Sequence, residues 1–339
     1  MQQRTMHSLR ALAVSAVLSV CSLLPAWSQG VGPNVYSFVH PFGLCTSTTT
    51  RAFGMGGPVS CMNDPGFANP AYAADQPTSD AGIRYSATSF DAGLDLTSVQ
   101  MHYGQPLRPG ISGFQVTAFS LDTGTATLAL PGLGAATVDM SERDVSIHYG
   151  HRLSPRLLAG VGVSPYMRVQ FNVGVPGGPA LMNLTSKADI GARLGLAYEW
   201  APDDYLGIVY DYYQETVTAA GLAVGARSEF VFHTDYLALG ASRHLRPDLV
   251  VAAEFQRGTS SRGDLEDATN GWHFGTEWRP AMLWALRAGL NDSHPTYGVG
   301  YEREGWRFDY AYASDWNDDL ARPFFGGSST HQLMATYRW

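Results

Sequence analysis

The sequence predicts an all-β fold, a single antiparallel transmembrane β-barrel of about fourteen strands. Three observations predict it. Apolar and polar residues alternate with period two in block after block from about residue 80 to Trp339. Short and long connections alternate between those blocks. Charged residues make up only 15% of the chain, against about 25% in an ordinary soluble domain. Mean hydropathy is nonetheless −0.10, too polar for a bundle of membrane helices. Strands that are apolar on one face only give that combination. A formal net charge of −8 argues against a nucleic-acid partner.

Residues 1–28 read as a signal peptide. Arg4 and Arg10 supply a positive start, Leu9 to Leu24 an apolar stretch, and Ala26-Trp27-Ser28 a small-x-small site, which places cleavage before Gln29. The apolar run is shorter than the roughly 20 residues of a membrane helix. A lipoprotein signal on Cys21 is the competing reading, but Val20 stands where a small residue belongs. Cleavage leaves Cys45 and Cys61 in an oxidising compartment. A disulfide between them closes a loop of about 15 residues, worth roughly 3 kcal/mol in the chain-entropy picture. The alternative is two free thiols. Residues 29–79 are rich in Gly, Pro, Ser and Thr and carry no clean period.

The barrel, residues 80–339, has expected strands at 81–90, 94–104, 111–122, 136–151, 157–173, 187–200, 204–216, 229–244, 249–258, 270–279, 283–291, 294–303, 306–316 and 331–339. In the clearest block Ile190, Ala192, Leu194, Leu196, Tyr198 and Trp200 face one way, and Asp189, Gly191, Arg193, Gly195, Ala197 and Glu199 the other. Blocks 204–216 and 306–316 repeat the pattern, with Tyr210 and Phe308 apolar-side, Asp211 and Asp309 polar-side. Short turns fall at 105–110, 153–156, 201–204, 245–248, 279–282 and 302–305, and long loops at 121–136, 173–186, 216–228, 258–269 and 316–330. That places both ends of the barrel on the short-turn, periplasmic side. Trp200, Trp278, Trp284, Trp306 and Trp339 fall near strand ends, where aromatic girdles lie. The block 229–244 changes phase near Tyr236, which reads as a bulge. The last strand ends on Trp339, the aromatic terminus that barrel assembly machinery reads. A signal peptide followed by a barrel points to the outer membrane, with its lipid and lipopolysaccharide as surroundings.

One motif adds to this. Arg51, Met55, Gly56 and Gly57 are followed by Asp64-Pro65 and then Asn69-Pro70-Ala71. The run resembles the N-terminal region of long-chain fatty acid transporter (FadL-type) barrels and of the related PorV-like barrels of type IX secretion. It departs from them in having Asn63 where they carry a first acid, and Pro58-Val59-Ser60-Cys61 where they carry small apolar residues. The resemblance implies that residues 29–79 fold inside the lumen as a plug or hatch. It implies passage of small hydrophobic compounds such as fatty acids or, on the PorV-like branch, a non-transporting scaffold that binds a protein partner. Glycines suit close backbone approach to a wall, and the Asx-Pro pairs set turns. Phe38, Phe42, Phe53, Met55, Phe67 and Tyr72 demand burial, and the lumen is the nearest site. The lumen charges Asp189, Arg193, Asp211, Glu254, Glu277, Arg287, Arg307 and Asp309 either pair with one another and with Arg51, or simply satisfy a polar interior. Leu128, Leu130, Leu181, Met182, Phe324 and Phe325 are loop apolar residues suited either to a ligand pocket or to loop packing. No Gly-x-Ser-x-Gly elbow, His-Glu-x-x-His or phosphate loop occurs, so no enzyme, cofactor or metal site is expected.

Overall fold

The computed structural model describes residues 49–64, 69–130, 134–178, 180–221, 227–263, 265–316 and 326–339. The signal-peptide reading, Phe38, Phe42, Cys45, Pro65, Phe67, Phe324 and Phe325 lie outside them. The strands are β1 (Asp80–Phe90), β2 (Asp95–Arg108), β3 (Ser112–Asp122), β4 (Ala126–Leu130), β5 (Gly134–Ser154), β6 (Leu157–Gly174), β7 (Ala180–Ala201), β8 (Asp204–Ala220), β9 (Ser228–Arg246), β10 (Leu249–Arg262), β11 (Leu265–Ala281), β12 (Trp284–Asn291), β13 (His294–Arg303), β14 (Trp306–Ser314) and β15 (Ser328–Arg338). Each long strand pairs antiparallel with its neighbours round the ring, β1 pairs with β15 from Asp80↔Arg338 to Phe90↔Ser328, and β3 pairs with β5. The ring therefore closes on fourteen strands. The short β4 stands outside that count: it pairs only with the outer end of β5, from Ala126↔Val138 to Leu130↔Gly134, and lengthens the wall on the long-loop side.

The side chains sort as the alternation requires. Leu194 and Leu196 are 53% and 43% exposed on the outer wall, while their neighbour Arg193 is 8% and its cross-strand partner Asp211 0% exposed in the lumen. Tyr210, Phe308 and Tyr337 face outward and Asp309 inward. Apolar groups lose little by facing lipid, whereas the charges find partners only inside. Aromatic rings pack along the short-turn rim, with Trp306 against Tyr337 at 4.8 Å and Trp284 against Tyr301 at 4.9 Å.

The bulge expected near Tyr236 is absent: β9 pairs with β8 in unbroken register from Leu206↔Ala241 to Ala219↔Ser228. The phase change has another cause. Toward the long-loop end the lumen face turns apolar, with Phe232 buried against Val217. The outward face there carries His233 and Asp235, held by the Tyr212 and Tyr210 hydroxyls. Irregularities lie at strand ends and, in mid-wall, in β5–β6 between Val145 and Ile147 and in β7–β8 between Ala188 and Ile190.

Candidate functional site: the lumen and its wall

Two short helical pieces precede the barrel. Helix α1 (Thr50–Gly54) is capped by Thr49, whose hydroxyl accepts from the Ala52 N–H at 3.1 Å. A 3₁₀ turn (Pro70–Asp75) is capped by the Asn69 side-chain carbonyl oxygen, which accepts from the Ala71 N–H at 3.0 Å, with Pro70 at the first position. Gly56 and Gly57, with φ of 85° and 96°, reverse the chain and keep α1 short.

The inner segment lies against the wall because the wall there has no side chains. A Cβ on Gly207 would overlap the Ser60 carbonyl, on Gly275 and Gly289 the Met55 backbone, and on Gly150 and Gly160 the Pro70–Ala71 backbone. These glycines are neighbours across strands: Gly150↔Gly160, Gly160↔Gly195 and Gly275↔Gly289. They make a bare strip on which backbone meets backbone. Met55 and Ala71 are fully buried against it, while Phe53 packs on Ala311, Ala313 and Trp316, and Tyr72 on Tyr205.

Polar contacts fix the same segment. Arg51 is bidentate on Glu277 at 2.8 and 2.9 Å. Glu277 also accepts from Arg287 at 2.7 Å, Arg287 reaches Asp309 at 2.7 Å, and Arg307 bridges Asp309 and Asp64 at 2.7 Å each. Asp64 closes the chain by accepting from the Thr49 hydroxyl. Burial alone would raise the Asp64 carboxyl, but Arg307, Arg51 and the Thr49 hydrogen bond outweigh it and hold it at about 2. Burial likewise disfavours the Arg51 cation, and Glu277 with Asp64 reverses that and raises it. A second anchor is Glu254, which accepts the Val59 N–H at 2.9 Å and the Ser60 N–H and hydroxyl. Asn69 donates to the carbonyls of Ser60 at 2.8 Å and of the wall residue Leu196 at 3.0 Å.

Above this segment the lumen changes character. Phe90, Leu94, Leu96, Phe119, Leu121, Val138, Met140, Val169 and Val173 form one buried apolar cluster on the inner faces of β1 to β6, with Met182 packed at its edge. Between the cluster and the inner segment runs a polar belt that includes Arg193, paired with Asp211 at 2.5 and 2.6 Å, and Glu215 bonded to Ser186.

The wall is interrupted beside that belt. The β6–β7 ladder pairs from Leu157↔Tyr198 to Val163↔Ala192 and again from Arg168↔Lys187, but residues 164–167 and 188–191 do not pair with each other, though several keep their partners on β5 and β8. The first of these strands changes face there, since Val163 below and Tyr166 above are each about half exposed on the outer side. Pro165 has no N–H to give the ladder. One register shift on each flanking ladder, at Val145/Ile147 and at Ala188/Ile190, falls at the same height.

Of the sequence-expected residues, Met55, Gly56, Asn69, Pro70 and Ala71 lie on the bare strip, Gly57 lies against Trp316, and Arg51 and Asp64 enter the ion-pair chain. The lumen charges do more than satisfy the interior: Glu254, Glu277 and Arg307 hold the inner segment directly. Of the expected pocket, Met182 reaches the apolar cluster; Leu181 is only partly buried, Leu128 and Leu130 are described in backbone alone, and Phe324 and Phe325 lie outside the described residues. The apolar cluster is built mainly from lumen faces of strands. Its signal is the change from polar to apolar side chains on the lumen face toward the outer end of a strand, as from Gln115 and Thr117 to Phe119 and Leu121. Cys61 is a fully buried thiol, raised by burial and by Glu254; its expected partner Cys45 lies outside the described residues, and no disulfide occurs among them.

No family model matches the chain, and no curated protein matches it in sequence. Solved structures do match its fold. The toluene transporter TbuX of Ralstonia pickettii superposes with a TM-score of 0.62 at 15% identity, covering 86% of this chain and 99% of that one. The Pseudomonas putida toluene transporter TodX gives 0.59 at 14% identity over 86% and 98%, and a Pseudomonas aeruginosa FadL homologue 0.56 at 13% over 86% and 98%. At such identities the likeness is one of architecture, and it covers nearly the whole of each neighbour: the chain has the fold of the FadL-type outer-membrane barrels.

Proposed function

We propose that the protein is an outer-membrane channel for small hydrophobic compounds, with residues 29–79 as its plug. The observation that carries this reading is the stretch at 164–167 and 188–191 where β6 and β7 do not pair with each other, set between the apolar outer lumen and the docked inner segment. A compound that leaves water for the apolar cluster meets the inner segment below and the ladder break at its side. Passage sideways through the break into the bilayer avoids a water-filled path across the membrane. The likeness to toluene transporters supports the same class of compound. C-terminal recognition by barrel assembly machinery through Trp339 belongs to the same reading.

The test staples the break. A Cβ on Gly191 would lie 3.0 Å from the Ser164 Cβ, close enough for a disulfide after a small shift. The Ser164→Cys/Gly191→Cys variant, expressed in an outer membrane, should take up toluene and a long-chain fatty acid slowly when oxidised and normally when reduced. Uptake indifferent to the staple would exclude the lateral route. Uptake no greater than that of cells lacking the barrel, with a change in surface display of a secreted protein, would favour the scaffold reading.

A further inference from the structure

The outer surface at the upper edge of the wall break carries three cations in one line. Arg143 on β5 lies directly opposite Arg168 on β6, and Arg168 directly opposite Lys187 on β7, the sole lysine of the sequence. All three are exposed. Like charges placed directly across strands repel one another, so such a row is costly unless an anion lies over it. Among the described side chains there is little counter-charge. Arg143 has Asp122 at 3.8 Å with both side chains about half exposed, and no ion pair joins Arg168 or Lys187 to an acid among the described residues. The nearest acid above, Asp139, stands two rows farther out on the same face.

The rows on either side say what kind of anion fits. Directly above are Ser141, Gln170 and Thr185, aligned across the same three strands and able to donate hydrogen bonds. Directly below, on the same outward face, are Val145 and Tyr166, then Ile147, Val163 and Val161. Height agrees. Arg143 is eleven residues from Ser154 at the short-turn rim; at about 3.3 Å per residue and a tilt of about 40° this spans roughly 28 Å, near the upper edge of an apolar band about 25 Å tall. Hydroxyl and amide donors above, cations at the boundary and apolar side chains below match an amphiphile with sugar, phosphate and acyl chains in that order.

We infer that Arg143, Arg168 and Lys187 form a docking site for a phosphorylated glycolipid of the outer leaflet, the lipid A part of lipopolysaccharide. Its phosphates lie on the cation row and its acyl chains on the face beside the wall break. The inference rests on the outer-membrane reading proposed above, and not on which compound the barrel carries.

The experiment uses the purified, folded full-length barrel in detergent, titrated with diphosphorylated lipid A, with the same lipid dephosphorylated, and with inorganic phosphate. Binding is read by the rise in unfolding temperature. Diphosphorylated lipid A should bind best, and the Arg168→Gln/Lys187→Gln variant should bind it about tenfold more weakly, the loss of charge-assisted contacts to phosphate. Binding should weaken as salt rises. Equal binding of the dephosphorylated lipid to the unaltered protein would overturn the proposal without recourse to any variant. So would inorganic phosphate giving the whole effect, or equal binding by a variant whose gel mobility shows it folded. Toluene uptake by the variant should stay normal, so that a failure here is separable from a failure of the transport reading.

Discussion

Arg51 and Asp64 are far in sequence from the groups that hold them, yet each is ion-paired to the wall: Arg51 to Glu277 and Asp64 to Arg307. Their energetics depend on pH. The Asp64 carboxyl is held at about 2 in the folded protein against an ordinary value near 3.8. The stability it contributes is therefore complete above about pH 4 and is lost as pH falls toward 2, by about 2 kcal/mol in all. Proteolytic access to the inner segment should rise over that window, and a flat profile from pH 5 to 2 would show that the pair does not hold the segment. Asp64→Asn should produce the loosened state at neutral pH, and Arg51→Ala should do so more strongly, because it leaves Glu277 buried with one cation fewer. The sequence reveals Arg51 and Asp64 as parts of a motif but not their partners. Glu277 and Arg307 are legible as lumen-facing from period-two alternation, while the pairing depends on which strands the ring brings under α1. A single thiol-labelling experiment settles Cys61. It should resist alkylation in the native protein and react after unfolding without reductant unless Cys45 holds it in a disulfide.

At the scale of elements, strand positions are legible because alternation is a local signal. The observed β1, β8, β13 and β14 lie within a few residues of the expected spans. The short β4 is not legible, since five residues beside a glycine-rich turn look like loop. The phase change in β9 is legible but reads as a bulge, because a lumen that turns apolar at one end mimics one. The irregularities in β6 and β7 are hidden, since each displaces alternation by one residue within a run that is half apolar on both sides. The bare strip shows in sequence only as a high glycine count. It yields a sharp prediction. Gly207→Val should leave the barrel heat-modifiable on gels but drive Ser60 off the wall, and conductance in planar bilayers should increase; a conductance equal to that of the parent would mean the segment does not close the lumen.

For the whole molecule, closure follows from the alternating pattern and is readable in the chain. Arg193 and Leu196 offer the direct check. A spin label at position 196 should be quenched by lipid-soluble oxygen and one at 193 by a water-soluble nickel chelate, and the reverse preference would place lipid on the wrong face. Removing Trp339 should lower the yield of assembled barrel without altering the stability of what does assemble, if the terminal aromatic serves recognition more than packing. The break between β6 and β7 is beyond sequence reading because it is a property of two strands jointly, and Pro165 marks only one of them.

The strip of bare wall also bears on the order in which the molecule is put together. The seam that completes the ring joins Asp80 to Arg338, so the chain's first barrel residue waits for its last. The segment just before that seam is locked onto β12 to β15 at α1 and onto β3, β5, β6 and β7 at the 3₁₀ turn, walls that are far apart in synthesis. It touches both halves of the circle through contacts too close for a side chain to pass. Full seating of the segment thus needs early-made and late-made strands to stand side by side.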